Sequence, residues 1–342
     1  MLVVMRDHAS QSEIDHVVDL LTEAGAQAHL SQGEVKTIIG VIGEREIIYS
    51  LDLEGLAGVE EVIRVLKPYK LVGRDFQPED TVVRIGPHAV VGGGALAVIA
   101  GPCSVESEEQ MVTVANAVAA AGATMLRGGA YKPRTSPYAF QGMGEEGLKL
   151  LRQAANESGL PVVTEVLDVR DAEKVAEWAD VLQVGARNMQ NFMMLEELGT
   201  MDRPVLLKRG LSATIEEMLS AAEYLLKGGN RDVMLCERGI RTFETYTRNT
   251  LDLAAVAALK QLTHLPVIVD PSHATGRRDL VAVMSRAGIV AGADGIMVEV
   301  HQDPEHAKCD GPQSLTPADF AEMMKGVGPL VELAGKHRGW ED

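Results

Sequence analysis

From residue 95 onward the chain repeats one unit eight times: an apolar run of strand length, a polar or glycine-bearing turn, then a helical stretch. The strand-like runs are LAVIAG, TMLRGGA, PVVTEV, VLQVGA, PVLLKRG, DVMLCERG, PVIVDPSH and GIMVEV. They are nearly continuous in apolar residues instead of alternating, the pattern required of parallel strands buried on both faces. Strands separated by helices argue for a parallel sheet, and eight such units argue for its closure into a (β/α)8 TIM barrel over residues 95–342. An open doubly wound sheet is the alternative.

A barrel commonly takes about 250 residues, so the 342 residues here leave room for a small second domain. Residues 1–67 supply it. A short apolar strand (Leu2 to Met5) precedes an amphipathic helix with Ser10 and Glu13 spaced as a capping box and Ile14, Val17, Val18 and Leu21 on one face, stopped by Gly25. The β-rich runs AHLS and KTIIGVIG follow, then a weaker helix near REIIYSLDLEGL and a last strand near VIRVLK. That order, βαββαβ, predicts an α+β ferredoxin-like domain. Residues 68–94 read as a polar linker with two prolines and a small hairpin from TVVRIG and HAVVGG.

A formal net charge of −17 argues against the basic face that nucleic acid or an anionic membrane surface would need. No apolar run reaches the roughly 20 residues of a membrane span, and MLVVMRDHAS lacks the pattern of a signal peptide. Three widely spaced cysteines, 103, 236 and 309, suit a reducing cytoplasm better than a disulfide framework. Cys236, inside the apolar run VMLC, reads as core.

In such a barrel the functional side chains project from the C-terminal ends of the strands. Those ends carry Cys103, Arg127, Lys132, Glu165, Arg187, Lys208, Arg238, His273 and Glu299. Any one of them has a plain reading as a solvated strand end. Five cations converging on one mouth in so acidic a protein would repel one another, and an anionic ligand is their natural counterion. Arginine suits bidentate contacts to phosphate or carboxylate, and lysine supplies a point charge that can also move a proton. A second basic cluster, Arg134 with Thr135 and Ser136 in the loop KPRTS, points to a second phosphate-bearing substrate. Cys103, His273, Glu299 and Asp310 come from the first, seventh and eighth units, which are neighbours in a closed barrel, and together form a plausible site for a divalent transition metal. Each also has a structural reading: Cys103 as a small core residue, His273 as a hydrogen-bonded strand end, Asp310 before Gly311 as a turn. Cys309, beside Asp310, is placed to approach Cys103 as an oxidation-sensitive pair.

The strings AGPCSVE, LRGGAYKPRTSPYAFQG, VGARNMQNF, LLKRG, CERGIRTFE, VDPSHATGRRD and MVEVH resemble the type I 3-deoxy-D-arabino-heptulosonate 7-phosphate (DAHP) synthases, in the short form with an N-terminal ferredoxin-like domain. The likeness covers almost the whole chain. It implies a transferase that condenses phosphoenolpyruvate with D-erythrose 4-phosphate and water to give DAHP and phosphate, the first step of the shikimate pathway to aromatic amino acids. It implies one divalent metal ion (Mn, Fe, Zn or Co) on Cys103, His273, Glu299 and Asp310, and phosphoenolpyruvate on Arg127, Lys132, Arg187, Lys208 and Arg238. Erythrose 4-phosphate would meet Lys132, Pro133, Arg134 and Thr135. Lys132 or a water on the metal would protonate the new alkoxide, with Cys103 and His273 serving the chemistry through the metal. The N-terminal domain would bind tyrosine or phenylalanine as feedback inhibitor, with His29 and Ser31 at effector-contact positions, and the enzyme would be an allosteric homotetramer. The rival within the superfamily is 3-deoxy-D-manno-octulosonate 8-phosphate synthase, which takes arabinose 5-phosphate and whose loop reads KANRS where this chain reads KPRTS. A phosphoenolpyruvate- or sugar-phosphate-binding protein without activity is the remaining alternative; it would need the anion site but not the metal-capable cluster.

Overall fold

A computed structural model describes residues 1–33, 36–43, 48, 50–63, 68–86, 89–132, 136 and 138–338. Contacts divide the chain into two compact units, Met1–Asp80 with Leu262–His264, and Thr81–Gln261 with Leu265–Asp342.

In the first unit, β1 (Leu2–Met5), α1 (Gln11–Glu23), β2 (Gln27–Gln32), β3 (Thr37–Ile42) and β4 (Val59–Ile63) form an antiparallel sheet in the order β2-β3-β1-β4. This is the ferredoxin-like arrangement. Helix α1 starts as the sequence predicts: the Ser10 N–H donates to Glu13 at 2.8 Å, and Ile14, Val17 and Leu21 are buried against the sheet core that includes Val3, Ile39 and Val41. Gly25, at φ 79°, ends it. Of the expected second helix at 45–56, residues 45–47 and 49 lie outside the described residues, as does the end of the last strand at 64–67; Ile48 and Ser50 are helical, but residues 51–56 run as bends and turns, so the helix does not extend to 56. The segment after β4 differs from a free linker. Tyr69, Leu71, Val72 and Phe76 are buried, and a Cβ on Gly40 would come within 2.7 Å of the Phe76 ring. The polar residues of KPYKLVGRDFQPED mask these four apolar anchors in a reading by composition.

The second unit opens with a hairpin, β5 (Val83–Ile85) and β6 (Ala89–Val91). Eight parallel strands follow: β7 (Ala95–Gly101), β8 (Met125–Arg127), β9 (Val162–Val166), β10 (Val181–Val184), β11 (Val205–Lys208), β12 (Val233–Glu237), β13 (Val267–Val269) and β14 (Gly295–Glu299). Each pairs with the next in register, and β14 returns to β7 from Gly295↔Ala97 to Glu299↔Gly101, closing the barrel. An open sheet is excluded. Helices alternate with the strands as α2 (Glu108–Ala120), α3 (Glu145–Ser158), α4 (Ala172–Ala176), α5 (Phe192–Thr200), α6 (Ile215–Lys227), α7 (Leu253–Leu262), α8 (Pro271–Thr275), α9 (Arg278–Val290) and α10 (Pro317–Leu333). The extra α8 is a single turn directly after β13, and its role is to aim His273.

Inside the barrel, side chains near the strand starts, among them Val163, Val181, Leu206 and Met234, form one buried cluster with Val83, Ile85, Ala89 and Val91 of the hairpin. The hairpin therefore belongs to the barrel core, at the end of the barrel where its strands begin. Cys236 lies in the same cluster, as its apolar run predicts, and burial pushes its thiol up to about 12. No helix among the described residues is long and apolar enough to cross a membrane.

Candidate active site

A cavity of about 210 Å³ opens where the strands end, and Arg127, Lys132, Arg187, Lys208, Arg238, His273 and Asp310 line it, with Glu165. The structure thus brings together all five cations expected at the strand ends. Sequence reasoning missed two more, Arg241 and Arg248, in the loop after β12. Among the described residues seven cationic side chains face two carboxylates, Glu165 and Asp310, so the cavity calls for anions. Arg187 and Arg241 are exposed and have no ion-pair partner among the described residues. Arg238 is buried, and its guanidinium donates only to the backbone oxygens of Gly239 (3.1 Å) and His273 (3.2 Å). Burial lowers its pKa, a cost that a bound anion would relieve.

The cations are held by neighbours that face away from the cavity. In the pair Lys208–Arg209 the lysine enters the site, while Arg209 turns behind it to Glu237 (2.8 Å) and Asp252 (3.0 Å). In the pair Glu237–Arg238 the order of roles is reversed, and Glu237 also accepts the Gly239 N–H at 2.7 Å. Lys132 donates to the Cys103 carbonyl at 2.9 Å. Gly129 makes this reach possible, because a Cβ there would lie 2.9 Å from the Lys132 Nζ and 2.8 Å from the Cys103 oxygen. Burial alone would make Lys132 easier to deprotonate, but Cys103 and Glu165 outweigh it and hold the ammonium firmly.

On one side of the cavity Cys103, His273, Glu299 and Asp310 each offer one donor atom, all within 4.8 Å of one another. Their mutual arrangement tests whether a cation fits. Asp270 caps α8, accepts the His273 N–H at 2.9 Å and its Nδ1–H at 2.7 Å, and pairs with the Lys208 ammonium. Burial would raise the Asp270 pKa; His273 and Lys208 outweigh it and keep the carboxylate ionised. An ionised Asp270 requires the imidazole hydrogen on Nδ1, leaving the Nε2 lone pair aimed at Glu299 (3.2 Å) and Asp310 (4.0 Å). Burial lowers the His273 pKa, so the ring is neutral. Asp310 sits at about 2: burial opposes this, and His273 with Arg248 prevails. A neutral nitrogen lone pair and two carboxylates pointed at one small volume repel unless a cation joins them, so the residues fit a divalent metal. The mixed sulfur, nitrogen and oxygen donors suit a transition metal.

The carboxylate ligands have partners of their own. Arg127 donates to Glu299 at 2.9 Å, and Gln313 donates to its other oxygen at 2.7 Å. Arg248 reaches both Asp310 (3.3 Å) and the Gln313 oxygen (3.1 Å). Cys103 Sγ lies 3.2 Å from Asp310 and 3.3 Å from Cys309 Sγ, so the expected approach of the two cysteines is present. The hydrogen bond to Cys309, burial and Glu299 all raise the Cys103 pKa, which keeps it a thiol until a metal displaces the proton. Asp270 was legible in principle: a carboxylate three residues before a histidine at a strand end is an N-cap signal. Gln313 and Arg248 carried no such signal.

Pro133, Arg134 and Thr135 of the KPRTS loop lie outside the described residues. His29 and Ser31 are in the first unit, on one face of the sheet-edge strand β2, paired with Gly40 and Ile38.

Residues 80–332 match the DAHP synthetase I family, and residues 1–67 match the DAHP synthase ferredoxin-like domain. The chain belongs to the DAHP synthetase I family. Among its relatives, a phospho-2-dehydro-3-deoxyheptonate aldolase of Thermotoga maritima is 51% identical over 335 residues, covering 98% of this chain and 99% of the relative. A crystal structure of phospho-2-dehydro-3-deoxyheptonate aldolase (DAHP synthase) from Thermotoga maritima superposes with a TM-score of 0.79 at 50% identity, covering 98% of each chain. A 2-dehydro-3-deoxyphosphooctonate aldolase of Geobacter sulfurreducens is more distant, 31% identical over 264 residues, which are 71% of this chain and 95% of that protein. The ferredoxin-like match thus separates this family member from the octulosonate relative, most of whose length aligns to only part of this chain.

Proposed function

We infer that this chain is a 3-deoxy-7-phosphoheptulonate synthase, condensing phosphoenolpyruvate with D-erythrose 4-phosphate and water to give DAHP and inorganic phosphate. The observation that carries the reading is a seven-cation cavity beside a four-donor cluster, in one barrel mouth. Arg187, Lys208 and Arg238 hold the phosphate and carboxylate of phosphoenolpyruvate, with Arg127 on the side toward Glu299. The tetrose phosphate occupies the side of Lys132 and the loop 133–135. A divalent ion on Cys103, His273, Glu299 and Asp310 supplies Lewis-acid polarisation of the aldehyde when bound.

In the reaction, carbon 3 of phosphoenolpyruvate forms a bond to the aldehyde carbon, water adds at carbon 2, and phosphate leaves from that carbon. The residues provide positioning and charge stabilisation along this course. The firmly held ammonium of Lys132 is better suited to stabilise the developing alkoxide than to release its proton. Glu165, fixed by Gln183 at 3.2 Å, keeps Lys132 charged. The domain division proposed here is 1–67, 68–94 and 95–342, with residues 1–67 as a regulatory domain that takes tyrosine or phenylalanine through His29 and Ser31. A homotetramer working in the cytoplasm, with its cysteines reduced, completes the reading.

The test is phosphate release from phosphoenolpyruvate with Mn(II), comparing erythrose 4-phosphate with arabinose 5-phosphate, each with and without EDTA. EDTA-sensitive release with erythrose 4-phosphate alone is expected. Preference for arabinose 5-phosphate moves the assignment to the octulosonate reaction, and no release with either leaves a binding protein.

A further inference from the structure

Asp310 is the metal-capable residue that stands farthest along the chain from a barrel strand. It stands 11 residues beyond Glu299, the end of β14, in a left-handed backbone conformation (φ 54°) that few residues other than glycine adopt. A donor on such a loop contributes to a rigid site only if something outside the loop determines where it stands.

Glu106 is the side chain in that place. It lies three residues after Cys103, in the loop that leaves β7, and its side chain is 10% exposed. One carboxylate oxygen accepts the backbone N–H of Lys308 at 2.9 Å and the Ser104 hydroxyl at 3.1 Å. The other oxygen lies 3.5 Å from Nε2 of His301, a buried ring. The His301 Nδ1 accepts the Asp303 N–H at 3.0 Å, and its Nε2 makes no hydrogen bond among the described residues. Glu106 is itself anchored: its N–H donates to Gln110 at 2.9 Å, and the Gln110 amide donates to the Ser104 carbonyl at 3.0 Å. One carboxylate therefore holds the far loop at Lys308, whose next two residues are Cys309 and Asp310. It does so from the short segment that carries Cys103.

We propose that Glu106 is a positioning residue that sets the distance between the Cys103 and Asp310 donors by clamping the Lys308 N–H, and so tunes metal affinity without touching metal or substrate. Arg248 and the Gln313 amide hold side-chain oxygens of Asp310 and Glu299, and the Asp310 carbonyl accepts the Gln313 N–H at 3.2 Å and the Ser314 hydroxyl at 3.1 Å from within the loop. Glu106 adds the tie from the Cys103 segment to the backbone two residues before Asp310. The charge of Glu106 is secondary to its acceptor oxygen, because the Lys308 partner is a neutral amide.

The proposal rests on the metal reading of the four-donor cluster. Titration calorimetry with Mn(II) on the full-length wild-type chain, Glu106→Ala and Glu106→Gln separates the two. Loss of outer partners of this kind costs about 10–100-fold in metal affinity, and that weakening is expected for Glu106→Ala, with kcat at saturating Mn(II) staying within about twofold of wild type by the same separation of binding from chemistry. Glu106→Gln keeps an oxygen to accept the Lys308 N–H and is expected to bind within about threefold of wild type, short of the tenfold that marks a lost partner. Wild-type affinity in Glu106→Ala overturns the proposal, as does an equal loss in both variants, which would assign the effect to charge. If Glu106→Ala does not fold, Glu106→Gln alone decides: a tenfold loss there refutes the clamp. A wild-type chain that binds no Mn(II) refutes the metal reading instead.

Discussion

Replacing Asp270 by Asn probes the point at which the anion cavity and the four-donor cluster meet. Asp270 is fully buried and accepts from Lys208 and from both the backbone and Nδ1 of His273. The Lys208 ammonium and His273 Nδ1–H share one Asp270 oxygen, and the His273 backbone N–H takes the other; an Asn oxygen that keeps the first two turns its NH2 group against the backbone N–H, and the reverse orientation sets NH2 against the ammonium and Nδ1. The first orientation breaks the α8 cap that aims His273; the second moves the imidazole hydrogen to Nε2, where it points at Glu299, 3.2 Å away, in place of the lone pair a metal needs. Loss of an outer-shell partner weakens metal binding about 10–100-fold, or about 1.4–2.8 kcal/mol. Either orientation removes a partner of His273, so a loss within that range is expected. The same change leaves a buried ammonium without its countercharge, and breaking a buried pair costs about 3–5 kcal/mol of stability. Phosphoenolpyruvate, by supplying the missing negative charge, should raise the melting temperature of the variant more than that of wild type. Calorimetric Mn(II) affinity, KM for phosphoenolpyruvate and thermal melts with and without this ligand provide the assay. Wild-type Mn(II) affinity in Asp270→Asn would refute the argument that Asp270 holds His273 in the orientation a metal needs.

Other consequences are equally open to measurement. Cys103 is held as a thiol by its contact with Cys309, by burial and by Glu299, while His273 is already neutral. Mn(II) binding near pH 8 should therefore release about one proton, and affinity should rise about tenfold per pH unit below the thiol pKa; calorimetry in buffers of different ionisation enthalpy reads this, and zero release would remove Cys103 from the ligand set. A Cβ on Gly185 would fall 2.0 Å from the Glu165 carboxylate, so Gly185→Ala should displace Glu165 and lower kcat/KM by about 10²-fold, with an unchanged kcat/KM refuting the placement. Ile85 of the hairpin is 1% exposed, and Ile85→Ala should cost about 2–5 kcal/mol in urea unfolding; a neutral result would mean the hairpin is not part of the barrel core. Removal of residues 1–67 should abolish inhibition by tyrosine or phenylalanine while phosphate release persists, and retained inhibition would place the effector elsewhere.

The barrel was legible because its signal is local and repeated: eight apolar runs separated by helices leave few ways to bury both faces of every strand. The capping of α1 by Ser10 and Glu13 was legible for the same reason, since the partners are three residues apart. The cations at the strand ends could be listed from the sequence, because a parallel barrel sends every strand end to one rim. The linker reading was less secure. Tyr69, Leu71, Val72 and Phe76 are spaced without a regular period, and only the folded chain shows that they are buried.

What the sequence by itself determined, then, is which residue types stand at the rim and that Cys103, His273, Glu299 and Asp310 come from adjoining units. Tertiary structure alone decided which of them point inward and who holds them. Lys208 and Arg209 are adjacent and chemically alike, yet one enters the cavity and the other turns to Glu237 behind it. Arg248, Gln313 and Glu106 reach the cluster across 62, 14 and 202 residues of chain in their hydrogen bonds to Asp310, Glu299 and Lys308. Contacts of that separation leave no period or spacing in a sequence, because closure of the barrel, not the local chain, brings the partners together.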